Sequence, residues 1–231
     1  MIPVANSFRT RFQGPRIFVA ALAAVVSLSV SARASTTIAD GGFESAAGGT
    51  EVFAGSSIDG GSWNVISGEV YVDNGDPYVF AGNNSVNLTV FNPDVNNSLQ
   101  QTLTTTVGGA YTVSFWADAA SPNIFSVTEN GVVLTGSPTS IADNGFPGTT
   151  NSSLFVDYSG KFIATSTTTN LTFTADGEPG LGTSGDPSVV IDNVSILATP
   201  EPGSIGLMLT GMAGLGLLAA RKRLGRPVFA S

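Results

Sequence analysis

The chain has 231 residues, a formal net charge of −8, and neither cysteine nor histidine. Disulfides, thiol nucleophiles, Cys/His zinc sites and imidazole-based triads are therefore excluded, and any chemistry must rest on carboxylates, hydroxyls, tyrosine or lysine. The charge is uneven: residues 35–199 hold 16 acidic residues against Lys161 alone, a net of −15, while the other basic residues sit near the two ends. Such a body repels nucleic acid and anionic lipid and attracts divalent cations.

Residues 1–34 read as a secretory signal peptide. Arg9, Arg11 and Arg16 form a basic region, Ile17 to Val30 an apolar run, and Ala32 and Ala34 the small positions of a signal-peptidase site. Cleavage is expected after Ala34. The alternative, an uncleaved anchor, needs ~20 apolar residues, more than this run supplies.

From residue 35 to 198 the pattern is one of short strands. EVYVDNG alternates Val70 and Val72 with polar neighbours, and SVNLTV places Val86, Leu88 and Val90 on one face. AYTVSFWAD sets Tyr111, Val113, Phe115 and Ala117 against Thr112, Ser114, Trp116 and Asp118. FSVTENGVVLTG predicts a hairpin at Asn130-Gly131, and LFVDYSGKFIATS a second at Ser159-Gly160. NLTFTAD and SVVIDNVSIL supply the last strands; residues 132–152 have no clear place. This predicts an all-β, two-sheet antiparallel sandwich of jelly-roll type. The acidic Gly/Pro-rich loops 73–77, 92–97 and 176–187 lack the spacing of an EF-hand and read as solvated turns.

Residues 199–227 form a three-part tail. Pro200-Glu201-Pro202 precedes an apolar run of 18 residues, 203–220, and then Arg221, Lys222 and Arg223 begin a basic end. At ~1.5 Å per residue the run is ~27 Å long as a helix, close to the hydrocarbon thickness of a bilayer. The basic end is expected to stay cytoplasmic, which leaves the body outside. The tail resembles the PEP-CTERM sorting signal of Gram-negative bacteria. That resemblance implies transient inner-membrane anchoring, cleavage near Pro-Glu-Pro by an exosortase, and delivery to the cell surface or extracellular matrix in an exopolysaccharide or biofilm context. A permanent, unprocessed anchor is the rival reading.

The body resembles, through ADGGFES, GEVYVDNG, QQTLTTTVGGAYTVSFWADA, LTFTAD and VVIDNVSIL in this order, the galactose-binding-like jelly rolls. These include DUF642-like and choice-of-anchor exported proteins and several carbohydrate-binding modules. The resemblance implies a structural calcium ion held by Glu44 of GGFES and Asp192 of VIDNVS, with backbone carbonyls completing the shell. Alternation puts Val190, Val194 and Ile196 on the face of Asp192, so the carboxylate needs a partner there. The other reading of Asp192 is a rim position, hydrated or accepting backbone N–H bonds.

For a sugar, Trp63, Tyr71 and Tyr78 are the aromatic candidates near a turn rich in Asn and Asp, although a core role is the plainer reading for either tryptophan. The chain is not expected to be an enzyme. A glycosidase would need two carboxylates across a cleft, and sequence pairs none. The expected function is a non-catalytic carbohydrate-binding or matrix protein with extracellular polysaccharide as possible partner, exosortase and signal peptidase as processing partners, and no nucleic acid. A structural matrix protein without glycan ligand is the alternative.

Overall fold

The computed structural model describes residues 36–75, 78–88, 96–119, 123–142, 154–176, 189–199, 210–212 and 214–215. Alternating side chains produce strands throughout the body: β1 (Thr50–Phe53), β2 (Ser57–Ile58), β3 (Trp63–Ser67), β4 (Glu69–Asn74), β5 (Asn84–Asn87), β6 (Asn97–Thr104) and β7 (Ala110–Ala119). They continue as β8 (Asn123–Glu129), β9 (Val132–Val133), β10 (Ser140–Ile141), β11 (Val156–Ile163), β12 (Thr168–Asp176) and β13 (Val189–Thr199).

The strands form two antiparallel sheets. The first has the order β1-β4-β5-β13-β7-β11; the second runs β10-β8-β12-β6-β3-β2, with β9 paired to β8. This is an all-β, jelly-roll-like sandwich, as expected. Its core lies between the sheets. Val70, Val72, Val86, Leu88, Tyr111, Val113, Phe115 and Ala117 are all buried there, each on the face its alternation assigns. The compact unit spans Ala34–Ile205, and the chain ends form a separate unit in which residues 210–212 and 214–215 are helical. Among the described residues no helix is long and apolar enough to cross a membrane. Most of the run 203–220 and all of 17–30 lie outside those residues.

The hairpin at Asn130-Gly131 is present: both residues take positive φ, 49° and 84°, as a tight β8–β9 turn requires. The second expected hairpin is not. Val156–Ile163 is one continuous strand, paired along its whole length with β7 from Ala117 to Ala110. Gly160 is there for space: a Cβ would lie 2.8 Å from the Leu134 Cβ. In the stretch left unplaced by sequence, β9 and β10 appear, while 143–153 falls outside the described residues.

A bulge corrects the reading of β13. Pairing with β7 shifts between Asp192 and Ser195, and Asn193 takes φ 50°. The extra residue reverses the alternation. Val190 and Asp192 therefore face outward, whereas Val194 belongs to the inter-sheet core and Ile196 packs against it.

Candidate functional site

The ADGGFES segment folds into a tight turn against β13. The Asp40 carboxylate closes it, accepting from Glu44 N at 3.0 Å and Ser45 N at 2.8 Å. Gly41 permits the approach: a Cβ there would stand 1.9 Å from the Val194 carbonyl oxygen. The turn sends Phe43 into the core and Glu44 toward residues 83–84. There the Glu44 carboxylate accepts from Asn83 N at 2.9 Å and Asn84 N at 3.2 Å.

Asp192 is fully buried beside it. Its Oδ2 accepts from Phe80 N at 3.0 Å and Ala81 N at 2.9 Å, and its Oδ1 from Asn193 N. Burial pushes its pKa up to about 6; the backbone N–H donors oppose that rise and the Glu44 charge adds to it. A methyl group on Gly42 would lie 3.7 Å from Glu44 Cγ and 4.0 Å from Asp192 Oδ1, so the two acids flank this glycine. The structure thus brings the expected pair together. Backbone N–H groups compensate Asp192.

A divalent cation fits this pair in charge, because two carboxylates flank one glycine; Glu44 already accepts from Asn83 N, Asn83 Nδ2 and Asn84 N, so an ion would take the place of some of those donors. Among the described residues no third acidic side chain joins them. Oxygen ligands beyond Glu44 and Asp192 would have to come from backbone carbonyls or water.

The three aromatic candidates are not brought together. Trp63 lies between the sheets with none of its surface exposed, 5.4 Å from the Phe43 ring and 6.0 Å from the Phe173 ring. Its indole N–H donates to Asp40 O at 3.1 Å, so burial leaves no donor unsatisfied. It offers no face to a sugar. Tyr71 and Tyr78 are half-buried on the outer side of the first sheet. Tyr78 packs there with Phe155, Val190, Phe80 and Trp116. Trp116 does face outward, but Phe80 stacks on it at 3.9 Å with 9° between the planes.

Sequence reasoning missed a different surface, the outer face of the second sheet. Register aligns Ser57, Asn64, Gln100, Thr172, Thr128 and Val133 across β2, β3, β6, β12, β8 and β9. Ser98, Thr174 and Ser126 form the next row, and Thr102 faces Asn170. Neighbouring side chains hydrogen-bond along the rows: Ser57 Oγ donates to Asn64 Oδ1 at 3.0 Å, Gln100 Nε2 to Thr172 Oγ1 at 2.9 Å, and Thr102 Oγ1 to Asn170 Oδ1 at 2.9 Å. These rows contain no charged side chain.

At one end of this face a cavity of about 400 Å³ is lined by Thr36, Thr37, Ala39, Gly61, Ser62, Asn64, Gln101, Thr102, Leu103 and Thr104. Gln101 shapes it by clasping Ala39, donating to its carbonyl and accepting from its N–H, both at 2.8 Å. The signal in the sequence is that NSLQQTLT and TTNLTFT alternate apolar residues with uncharged amides and hydroxyls only.

Ala32, Ala34, Pro200, Glu201, Pro202, Arg221, Lys222 and Arg223 lie outside the described residues.

No protein-family model matches the chain, and no curated protein matches it. Solved structures do resemble it. One is TmCBM61 in complex with β-1,4-galactotriose, 18% identical over 59% of this chain and 88% of that one, with a TM-score of 0.40. Another is CBM35 from Paenibacillus barcinonensis, 16% identical over 65% and 100% of the two chains, TM-score 0.40. A third is the enzymatically active domain of bacteriophage CBA120 tailspike protein 4, 17% identical over 60% of this chain but 19% of that one, TM-score 0.40. At these identities the likeness is one of fold.

Proposed function

We propose that the protein is an exported, non-catalytic carbohydrate-binding sandwich whose ligand is an uncharged polysaccharide. The observation that carries this reading is the block of uncharged rows on the second sheet. In a body of net charge −15, these rows present amides and hydroxyls, with the apolar Val133 at one end. Such groups exchange hydrogen bonds with sugar hydroxyls at ~0.5–1.5 kcal/mol net each, without desolvating a charge. The adjoining cavity shares Asn64 and Thr102 with the rows and extends the surface.

The test is retention on gels cast with neutral polysaccharides. Asn64→Ala and Gln100→Ala each remove outward side chains from the face. Each is expected to weaken binding ~2–10-fold, the equivalent of one lost hydrogen bond, with an unchanged melting temperature. Retention that ignores both substitutions moves the ligand off this face, and no retention on any neutral polysaccharide favours the second reading, a structural matrix protein without a glycan ligand.

The export reading rests on the two ends of the chain: signal peptidase acts after Ala34, and an exosortase removes the tail near Pro200-Glu201-Pro202, releasing the body to the cell surface or matrix. The native surface protein is then expected to begin at Ser35 and to lack everything from about Gly203 onward. Mass spectrometry of that protein decides it. A C-terminus still at Ser231 leaves the permanent anchor. Within the body, Glu44 and Asp192 hold a structural calcium ion that joins the first turn of the domain to its last strand.

A further inference from the structure

Both ends of the described body leave the sandwich at the same place. β13 finishes at Thr199 opposite Ala110, the first residue of β7, and Ile163 at the end of β11 pairs with the same Ala110. The β6–β7 turn lies beside them, strapped down by Gly108 N donating to Ala164 O at 2.8 Å and by Thr106 N donating to the Tyr111 hydroxyl at 2.9 Å. Thr36 donates its hydroxyl to Thr104 O here, at 2.7 Å.

Three large apolar side chains stand out from this end. Leu197 is 70% exposed, Ile163 65% and Val107 59%. The segments that build it, 104–112, 161–168 and 195–199, contain no Asp or Glu, yet they include Lys161, the lone lysine of the body. Leu197, Thr112 and Lys161 are aligned side by side across β13, β7 and β11.

The chain itself says what faces this end. Only Pro200, Glu201 and Pro202 separate Thr199 from the apolar run 203–220. Four residue steps reach at most ~14 Å, and the headgroup layer on each side of a bilayer is ~5–8 Å thick. With the run in the hydrocarbon, the end of β13 is tethered close to the lipid surface. Exposed carboxylates elsewhere on the body are repelled by lipid phosphate, whereas Glu129, which reaches Thr169 behind this end, is buried, and this leaves the end as the one to approach.

We propose that, while the tail spans the membrane, this end of the sandwich rests on the phospholipid surface. Val107, Ile163 and Leu197 enter the interface, and Lys161 meets lipid phosphates. The inference rests on the reading of the tail as a membrane span. Its consequence is that the Pro-Glu-Pro segment is held at a fixed height beside the bilayer, in reach of a membrane-embedded protease.

The chain has no cysteine, so single cysteines can be labelled cleanly. The full chain, reconstituted in phosphatidylethanolamine/phosphatidylglycerol vesicles, would carry an environment-sensitive fluorophore at Val107→Cys, Ile163→Cys or Leu197→Cys. Ile124→Cys, exposed at the opposite end of the second sheet where β8 begins, and Met212→Cys, in the apolar run, serve as references. The expected result is a blue shift and loss of emission with headgroup-level nitroxide lipids at 107, 163 and 197, none at 124, and quenching by deep nitroxides at 212. Deep quenching at 212 with no lipid quenching at the three sites overturns the proposal and leaves the span standing. A blue shift there without lipid quenching means that protein covers the end, and overturns it too. No deep quenching at 212 removes the span and the proposal together.

Discussion

Trp63→Ala is expected to destabilise the sandwich by ~3–5 kcal/mol, the range for deleting a large aromatic side chain from a packed core. Trp63 is fully buried between Phe43 and Phe173. Its removal opens a cavity that β-strands, tied by their ladders, collapse into poorly. It also withdraws the indole donor from Asp40 O, at the turn that positions Glu44. A domain of this kind is stable by only ~5–15 kcal/mol, so the variant retains a fraction of its margin. Trp63→Phe keeps most of the apolar area and loses one hydrogen bond, at ~0.5–1.5 kcal/mol in addition to the smaller cavity. Urea unfolding of the two variants measures both quantities. A loss below ~1 kcal/mol for Trp63→Ala would place this side chain at the surface after all.

Calcium and pH are expected to act on stability in opposite directions through Asp192. In the unfolded chain this carboxyl titrates at its ordinary 3.8; in the folded protein it titrates at about 6, raised chiefly by burial. The folded state therefore holds the proton more tightly. The stabilisation from neutral Asp192 is complete below 3.8 and is lost as pH rises through about 6. In EDTA, the wild type should lose stability over this window relative to Asp192→Asn, which cannot ionise. Calcium selects the ionised pair. At a hundred times its dissociation constant it adds ~2.7 kcal/mol, which raises the melting temperature at neutral pH by ~5–10 °C. Glu44→Ala and Asp192→Ala should each abolish the rise. A melting curve that ignores both calcium and EDTA would show that the N–H groups of Phe80, Ala81 and Asn193 are the whole compensation for Asp192.

Strand pairing was legible where the pattern is local. The period-two alternation in Glu69–Asn74 and Ala110–Ala119 appears as β4 and β7, and Asn130-Gly131 makes its turn because the dipeptide tolerates positive φ without help from elsewhere. Glu44 and Asp192 were named as a pair from the resemblance of their motifs, and the fold brings them to one site.

What alternation does not state is which side of a strand becomes the interior, or where the count slips. Trp63 and Trp116 both lie on alternating strands, yet the first points between the sheets with Val65 and the second away from them, because it falls between the inward-facing Phe115 and Ala117. A single residue with φ 50°, Asn193, turns Asp192 away from Val194 and Ile196. Ser159-Gly160 looks like a turn but runs straight because it pairs continuously with β7, and the glycine leaves room for Leu134, which follows β9. The rows of amides and hydroxyls on the second sheet join strands as far apart in sequence as β2 and β12. Sequence determined the charge and the strands whose alternation is local. Tertiary pairing alone decided which faces meet, because register and sheet membership are set by contacts between residues the chain order keeps apart.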